Sequence, residues 1–593
     1  MARKSKFTCS VFNLKLGHFI VLVIMTLACV YINWNNFIDL EPVTSSERNL
    51  DIPNRELSFQ TDGHVFKDYT FLSRKRHSEF TTNLHFSFSE DANTVCGSSS
   101  ELSSGLYSNL SLLSHNIHTN ELHVLIRLYD VTGRPKSRGG DVVTVRALKL
   151  PSSGSMNTKT EEPVAVVAGT VTDNGDGTYV AIVKVFWSGP TEIRAIIASQ
   201  YANSCRRFLA MELYGDSVYS LKSPYGVWVI FQETNFTEST PCSAVPNVVG
   251  YDKICNLTKH NFNMTIYCGQ PKSRLLSCRS PIVLWTPRKF DVLKRNDSGI
   301  IFCPLVAELK NTIVLNISAS CSNTNRYFAG EKSVYNFELN QTECKIRSAL
   351  FSWNETYPTG LGVNHGWRML HCRHTQVRDT ATIRRCFAGK RFYTMGDSTV
   401  RQYFENIISK LKSTNHIRKY VNGLLFTDTR QNMHFEWSIH SMPYHCGGSV
   451  AKCVSSSIAG KLLDILYKRS LSIDGSEIII LITMNTHLQK YPLEVLRRRL
   501  RSLVKPITML KAKYPLSKVL FKGPHQCSQD DKWFDVRIAL MYREIIYEEL
   551  NSILDKVIYL DTFSISVAYG SIMLHPEGQT LDAQIDQFLA YVC

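Results

Sequence analysis

The chain has 593 residues, a net charge of +16 and 17 cysteines, and 44% of its residues are apolar. This length predicts two to four domains. The basic residues are scattered rather than gathered in one tract, which argues against nucleic-acid binding. They favour an acidic partner, such as a sialylated or sulfated glycan or an anionic surface. A generic basic protein of the secretory lumen explains the charge equally well.

The amino terminus has the pattern of a targeting segment. Residues 1–17 are basic and carry no acid, and residues 19–32 are apolar apart from Thr26. That run is short for a membrane span, which needs about 20 residues. Residues 1–34 are therefore either an uncleaved signal anchor or a cleaved signal peptide, and residues 35–95 a polar stem or linker. We expect a type II membrane protein of the Golgi or endoplasmic reticulum, or a secreted protein.

Cysteines and glycosylation sites indicate the oxidising secretory pathway. Fifteen cysteines follow the targeting segment without the paired short spacings of a zinc site, so no metal is predicted. They predict disulfides, and their odd number predicts a free or intermolecular cysteine. The Asn-x-Ser/Thr sites are Asn109, Asn235, Asn256, Asn263, Asn296, Asn316, Asn340 and Asn354. Most lie in residues 206–386, which we interpret as a cysteine-rich, glycosylated binding or spacing region.

Residues 96–205 have the pattern of an antiparallel β-sandwich. Turn residues separate four apolar runs, which predict strands at 123–129, 142–145, 165–171 and 179–185. The tract 173–179 is predicted to be a hairpin turn. A calcium loop is less favoured, because the downstream glutamate of an EF-hand is absent and the tract lies between strands.

Residues 387–593 alternate between strands and helices, which predicts an α/β domain with a parallel sheet and helices on both faces. The strands are predicted at 391–395, 477–483, 519–521 and 557–560, and the helices at 399–411, 493–511, 532–554 and 581–590. In such sheets the chemistry lies at the carboxyl ends of the strands.

Three segments with reactive side chains follow strand ends. Ser398 follows Gly396 and Asp397 at the end of the first strand, and His575 lies beyond the last strand. Asn485 and His487 follow the strand at 477–483. A serine nucleophile needs a base and oxyanion donors. Ser398 and His575 are candidates for these roles, although Asp-Ser at a helix start is also an ordinary N-cap.

The remaining candidates support this site. The oxyanion donors are predicted to be the Ser398 N–H with Asn485 or nearby glycines. Arg401, one helical turn after Ser398, holds an acyl or carboxylate group or pairs with Glu405 at i+4. The arginines at positions 497, 498, 499 and 501 are predicted to form one exposed run.

The Gly396-Asp397-Ser398 motif, with Arg401 and the later His575-Pro576, resembles the PC-esterase branch of the Gly-Asp-Ser (SGNH-type) acyl hydrolases and acyltransferases. The 173–179 tract resembles the hairpin of filamin-type immunoglobulin repeats. The order of regions is similar to that of the neurexophilin and PC-esterase domain (NXPE) family. This resemblance implies an immunoglobulin/filamin-like sandwich, an SGNH-like carboxyl-terminal domain and modification of O-acyl groups on glycans.

The sequence departs from the PC-esterase pattern, which has an acid two or three residues before the terminal histidine. Those positions are Met573 and Ile572 here, and the nearest acids are Asp561 and Glu577. Two hypotheses follow. The chain is a glycan O-acyl, chiefly O-acetyl, transferase or esterase, with sialic acid as a natural acceptor and acetyl-CoA as a donor, without a tightly bound cofactor. Alternatively, it is a weak or inactive relative that acts as a glycoprotein ligand.

Overall fold

A computed structural model describes most of the chain after residue 95. The described ranges are 96–151, 163–214, 228–233, 235–261, 265–285, 306–318, 341–364, 366–377, 379–413, 416–420, 423–440, 448–449, 457–468, 471–472, 474–489, 491–528 and 534–593. They all belong to one compact unit, Phe59–Cys593. The predicted targeting segment and stem lie outside the described residues.

The amino-terminal region is mostly β-structure followed by one helix. Its elements are β1 (Asn109–Asn116), β2 (Glu121–Arg127), β3 (Val142–Lys149), β4 (Ala165–Asp173), β5 (Thr178–Lys184), β6 (Gly189–Ser199) and α1 (Tyr201–Tyr214).

The described residues in the middle of the chain form mostly short strands and a short α-helix. These are β7 (Trp228–Glu233), β8 (Phe236–Ser243), β9 (Ile254–Asn256), β10 (Tyr267–Gly269), β11 (Pro281–Trp285), β12 (Ala307–Glu308), β13 (Ile313–Ile317), α2 (Ala349–Trp353), β14 (Gly360–Val363) and β15 (Gly366–Met369).

The carboxyl-terminal region alternates between helices and strands. Its elements are α3 (Thr380–Phe387), β16 (Arg391–Gly396), α4 (Ser398–Lys410), β17 (Arg418–Tyr420), β18 (Gly423–Asp428), β19 (Met433–Ile439), β20 (Gly448–Ser449), α5 (Ile458–Tyr467), β21 (Ile478–Ile482), α6 (Leu493–Lys513), β22 (Lys518–Lys522), α7 (Val536–Leu550), β23 (Ile558–Leu560), α8 (Thr562–Tyr569) and α9 (Gly578–Val592).

The amino-terminal strands form an antiparallel ten-stranded sheet in the order β1-β2-β5-β4-β3-β6-β12, with β13 on β6 and the β14–β15 hairpin on β4. Alternate residues of β2, β5, β3 and β6 share one hydrophobic core around Trp187. The predicted hairpin is present, because Asp173 pairs with Tyr179 and the Asn174 N–H donates to the Thr178 carbonyl over 3.0 Å. The strands β12 to β15, which come later in the chain, also belong to this sheet.

The sheet of the carboxyl-terminal region is mixed, which corrects the prediction of a wholly parallel sheet. Its seven strands have the order β17-β18-β19-β16-β21-β22-β23. The five strands from β19 to β23 in this order are parallel, whereas β17 and β18 pair antiparallel. The difference arises because β17, β18 and β19 follow one another through short turns, and such connections require antiparallel neighbours.

This sheet has a hydrophobic core on each face. Ile478, Ile480 and Ile482 of β21 pack into one core with α5, α6 and α7. Ile479 and Leu481 pack into the other with α4, α8 and α9. Successive side chains of a strand point to opposite faces, so a strand covered on both faces needs a continuous apolar run. The uninterrupted run of β21 therefore makes it a central strand.

Disulfides staple the described regions and support an extracellular or secretory-pathway protein. They join Cys96 to Cys205, Cys242 to Cys268, Cys255 to Cys278, Cys344 to Cys372 and Cys386 to Cys593. Cys527 is a buried thiol outside these pairs. Within the described part of the chain, no helix is long and apolar enough to cross a membrane.

Most of the described glycosylation sites are on the surface. Asn235, Asn256, Asn316 and Asn354 are exposed, and Asn109 is half-buried at the start of β1. Asn263, Asn296 and Asn340 lie outside the described residues.

Two glycines of the 173–179 hairpin test its geometry. Gly175 and Gly177 have φ angles of 82° and 85°. A Cβ on Gly175 meets nothing within 4 Å, whereas a Cβ on Gly177 lies 2.4 Å from the Lys136 carbonyl oxygen. Gly175→Ala is expected to destabilise the fold by about 1 kcal/mol through its left-handed backbone. Gly177→Ala adds a backbone clash and is expected to lower the melting temperature clearly further. Equal melting temperatures of the two variants would contradict this hairpin.

Candidate active site

A tight turn between β16 and α4 presents Ser398. Gly396 has φ 151°, and a Cβ there would lie 2.6 Å from the Thr483 methyl group and 2.7 Å from its carbonyl oxygen. Only glycine fits this close approach of two strand ends. Ser398 begins α4 and is half-buried. Its backbone N–H therefore belongs to the first turn, where N–H groups lack helical partners.

The Asp397 carboxylate joins this turn to the end of β21. One oxygen accepts hydrogen bonds from the Thr399 N–H over 2.9 Å and the Thr399 hydroxyl over 2.7 Å. The other accepts from the Thr486 N–H over 3.1 Å and from the Thr486 hydroxyl. Asp397 is fully buried. Its carboxylate caps α4 and also fixes the loop that carries Asn485 and His487.

Nearby polar groups keep Asp397 ionised. Burial alone raises the pKa of this carboxyl, but His487, His440, the Lys522 ammonium and the Thr486 hydroxyl outweigh burial, so its pKa lies below the ordinary value. The rings of His440 and His487 stack with centroids 4.8 Å apart. His487 therefore belongs to the electrostatic surroundings of Asp397.

Ser398 and His575 lie in direct contact. The Ser398 Oγ and the His575 Nε2 are 2.6 Å apart, although 177 residues separate them in the chain. This distance is within the range for a nucleophile and its general base. The two side chains are both half-buried, so the pair is accessible from solvent.

Three carbonyl groups hold the loop that carries His575. The Ile572 carbonyl accepts from the Ser528 N–H over 2.9 Å, and the Pro576 carbonyl accepts from the Gln402 amide over 2.9 Å. The Leu574 carbonyl lies 3.1 Å from the His525 Nε2. Alternate residues on both sides of His575 are therefore anchored to α4 and to the segment after β22.

The tautomer of His525 follows from its two partners. Its Nδ1 lies 3.4 Å from the Lys522 Nζ, which only donates when charged, so Nδ1 accepts. The proton is then on Nε2, where it donates to Leu574. Burial and then the Lys522 charge lower the pKa of His525 to about 3. Burial lowers the pKa of Lys522 to about 8, although Asp397 opposes this shift. His525 is therefore neutral at physiological pH.

Asn485 supplies a buried polar hydrogen beside this turn. Its Oδ1 accepts from the Gln489 Nε2 over 2.8 Å. Its Nδ2 is buried and has no hydrogen-bond partner in the described part of the chain. Asn485 directly precedes Thr486, which binds the carboxylate next to Ser398. Ser398 and Asn485 thus follow the ends of the neighbouring strands β16 and β21, and His575 contacts Ser398.

The carboxyl-terminal region is similar to a known protein domain. Residues 367–593 match the family model described as NXPE family member 4-like, C-terminal domain. This carboxyl-terminal region is therefore similar to the C-terminal domain of NXPE family proteins. That family is related to PC-esterases and acyltransferases.

The two acids nearest to His575 in the sequence have other surroundings. Asp561 is buried and caps α8, where it accepts from the Phe563 and Ser564 N–H groups. Glu577 is exposed before α9. Among the described residues, no carboxylate forms a hydrogen bond or an ion pair with His575. The loop that carries His575 is held instead through its backbone carbonyls.

Arg401 and most arginines of α6 form surface ion pairs, whereas Arg499 is buried. Arg401 pairs with Glu405 over 3.6 Å and lies over the Trp437 ring at 5.6 Å. Arg499 corrects the predicted exposed run, because it is 8% exposed and its guanidinium lies 3.4 Å from the His440 Nδ1. It follows the helical period of Leu496, Leu500 and Leu503 toward the sheet. Arg497, Arg498 and Arg501 form surface ion pairs with glutamates.

Several residues of the site gave no clear sequence signal. These are His440, Lys522, His525, Gln402 and Thr486. Lys522 is the last residue of β22 and His525 lies three residues after it, so the strand-end rule applied to every strand would have selected them. His440 follows β19, which has no clear strand pattern in the sequence. Gln402 is one turn along α4 and carries no chemical signature.

Asp397→Asn tests the bridging carboxylate. An amide replaces one acceptor oxygen with a donor that faces the N–H and hydroxyl of Thr399 or Thr486. We expect a loss of about 1–3 kcal/mol of unfolding free energy, measured by denaturant titration. Asp379→Asn is the matched control, because Asp379 caps α3 at the surface through one bond from Thr382, and asparagine caps about equally well. Equal losses in both variants would contradict the bridging role.

His525→Gln tests the neutral histidine. Below the unfolded pKa of about 6.5 the unfolded state binds a proton that folded His525 excludes, so stability falls as pH decreases toward 3. Glutamine can donate to Leu574 without titrating. We expect the variant to lose less melting temperature than the wild type between pH 7 and pH 4, while the exposed-site control His416→Gln follows the wild type. Parallel curves for all three proteins would exclude this account.

Proposed function

We propose that the chain is a serine-dependent O-acyl, chiefly O-acetyl, transferase or esterase that acts on glycans in the secretory pathway. The observation that carries this proposal is the 2.6 Å contact between the Ser398 Oγ and the His575 Nε2 at the start of α4. The relation of the family to PC-esterases and acyltransferases supports the reaction class.

The first half of the proposed reaction acylates Ser398. The Ser398 hydroxyl gives its proton to the His575 Nε2 as Oγ attacks the carbonyl carbon of the acyl donor. The resulting oxyanion accepts hydrogen bonds from the Asn485 Nδ2 and from backbone N–H groups at the start of α4. Collapse of this intermediate breaks the bond to the leaving group, which takes the proton from His575.

The second half returns the acyl group to a hydroxyl. A sugar hydroxyl or water loses its proton to His575 and attacks the Ser398 ester, and the serine leaves with that proton. Transfer results when the sugar hydroxyl attacks, and hydrolysis when water does. Acetyl-CoA is the proposed donor for transfer. The net charge of +16 favours an anionic acceptor such as a sialic acid-bearing glycoprotein.

The finer fold assignment belongs to the same proposal. We assign the carboxyl-terminal region to the SGNH-type fold, because the Ser398 turn and the Asn485 loop follow the carboxyl ends of the neighbouring strands β16 and β21, and His575 contacts Ser398. The amino-terminal strands enclose a common core and carry a tight hairpin, which favours an immunoglobulin/filamin-like sandwich.

A glycoprotein ligand without turnover is the second candidate. It is favoured by the absence of a carboxylate on His575 among the described residues. In serine proteases, replacement of the orienting acid lowers turnover by about 10⁴-fold. The anchored His575 loop favours the enzyme, because the base is already positioned against Ser398.

The function is tested in glycan-presenting cells that express the wild type, Ser398→Ala or His575→Ala. We expect wild-type expression to change the O-acetyl content of released sialylated glycans, measured by mass spectrometry: an increase for a transferase and a decrease for an esterase. Both variants are expected to return it to the untransfected level, because each removes one member of the reacting pair.

Ser409→Ala is the matched control, since Ser409 is an exposed serine of the same helix. It is expected to act like the wild type at equal secretion. Equal O-acetyl levels in all transfected and untransfected cells would refute the enzyme and favour the ligand role.

A further inference from the structure

We infer that the amino-terminal β-region is part of the active site, because a buried chain of hydrogen bonds from Ser199 and Ser204 through Asp535 and Gln489 orients the Asn485 amide. These are positioning residues. The inference deepens the proposed function and rests on it, since the orientation of Asn485 matters only if an oxyanion forms at Ser398.

Asp535 receives the contact from the amino-terminal region. It caps α7, and its Oδ1 accepts from the Ser199 hydroxyl over 2.9 Å and from the Arg537 N–H over 2.8 Å. Its Oδ2 accepts from the Ser204 hydroxyl over 2.8 Å. The two hydroxyls are 2.5 Å from each other. Since Ser199 ends β6 and Ser204 lies in the first turn of α1, this cluster fixes the start of α7 against the β-region.

Gln489 connects Asp535 to Asn485 through hydrogen bonds. The Asp535 backbone N–H donates to the Gln489 Oε1 over 3.2 Å. A backbone N–H only donates, so the facing atom of the glutamine must be its oxygen. This contact fixes the flip of the Gln489 amide and directs its Nε2 to Asn485.

The same logic fixes Asn485. The Gln489 Nε2 only donates, so the atom 2.8 Å away is the Asn485 Oδ1. The Nδ2 is therefore left on the other side of the amide, buried and without a partner among the described residues. Asn485 is 1% exposed. An oxyanion that forms beside Ser398 supplies the acceptor that this group lacks, and no reorientation is needed at that moment.

A second contact from the end of β6 reaches the base. The Ser528 hydroxyl donates to the Ala198 carbonyl over 3.0 Å, and the Ser528 N–H donates to the Ile572 carbonyl in the His575 loop over 2.9 Å. The end of β6 therefore supports both the oxyanion donor and the general base. This arrangement explains why a β-region remote in sequence packs directly on the α/β-region.

The test measures the rate at which a fluorophosphonate probe labels Ser398 in the full secreted chain. The Ser398 hydroxyl gives its proton to the His575 Nε2 as its oxygen bonds to phosphorus and displaces fluoride, and the phosphoryl oxygen occupies the oxyanion position. Asn485→Ala is expected to lower the maximal labelling rate by about 10²–10³-fold. Gln489→Leu is expected to lower it by about 10-fold or more through misplacement of the amide, with the probe concentration for half-maximal rate unchanged.

The double variant decides whether Gln489 acts through Asn485. We expect Asn485→Ala/Gln489→Leu to label no more slowly than Asn485→Ala alone, because the chain of hydrogen bonds then has no Asn485 amide to orient. Ser199→Ala/Ser204→Ala, which leaves Gln489 in place, is also expected to lower the maximal labelling rate. Thr191→Val is the stability control, since it removes another buried hydroxyl of β6, at 2.9 Å from the Trp187 Nε1, and is expected to label at the wild-type rate.

Two outcomes would contradict the proposal that Gln489 orients Asn485. One is labelling of Gln489→Leu at the wild-type rate, and the other is a double variant whose fold-loss in rate is the product of the losses in the two single variants. If the wild type does not label at Ser398, although its melting transition shows that it is folded, the proposed role of Ser398 as nucleophile is wrong, and the proposal for Gln489 fails with it. The two failures are therefore distinguishable in one experiment.

Discussion

The geometry of the site depends on one buried carboxylate. Asp397 accepts four hydrogen bonds, two from Thr399 at the start of α4 and two from Thr486 after β21. Two strand ends of the parallel sheet are thereby held at a fixed separation, which Gly396 permits because it has no side chain. Ser398 and Asn485 each adjoin one end of this bridge. A neutral side chain cannot accept all four donors, so ionisation of Asp397 is a structural requirement.

Among the described residues, His575 is held in contact with Ser398 without a bonded carboxylate. Backbone carbonyls on both sides of it are anchored to α4 and to the segment after β22, partly through His525, which is held neutral by burial and Lys522. Such anchors fix the place of the ring but add no negative charge to stabilise an imidazolium. Chemistry at this site is therefore expected to be slower than in a triad enzyme with the same geometry.

The sequence predicted the helices and central strands of the α/β-region because their apolar patterns are local. It missed β19, and with it the mixed character of the sheet, since pairing at a sheet edge depends on distant partners. Ser398 and His575 were found through strand ends and a family resemblance. Asp535 could not be found in this way, because it contacts Ser199 and Ser204, which lie 336 and 331 residues earlier. Gln489 could not be found either, because one of its two contacts is with Asp535, 46 residues away. The run of arginines was misread at Arg499, where helix periodicity outweighs the local charge pattern.

The central claim is that Ser398 carries the acyl group during turnover. The most direct measurement is to quench the full chain during reaction with an acyl donor and to map the acyl group by peptide mass spectrometry. Trypsin releases residues 392–401 as one peptide that contains Ser398. The account predicts an acyl ester on Ser398 that accumulates with the donor and disappears when an acceptor glycan is added. An unmodified peptide during measurable turnover, or an acyl group on another residue, would contradict it.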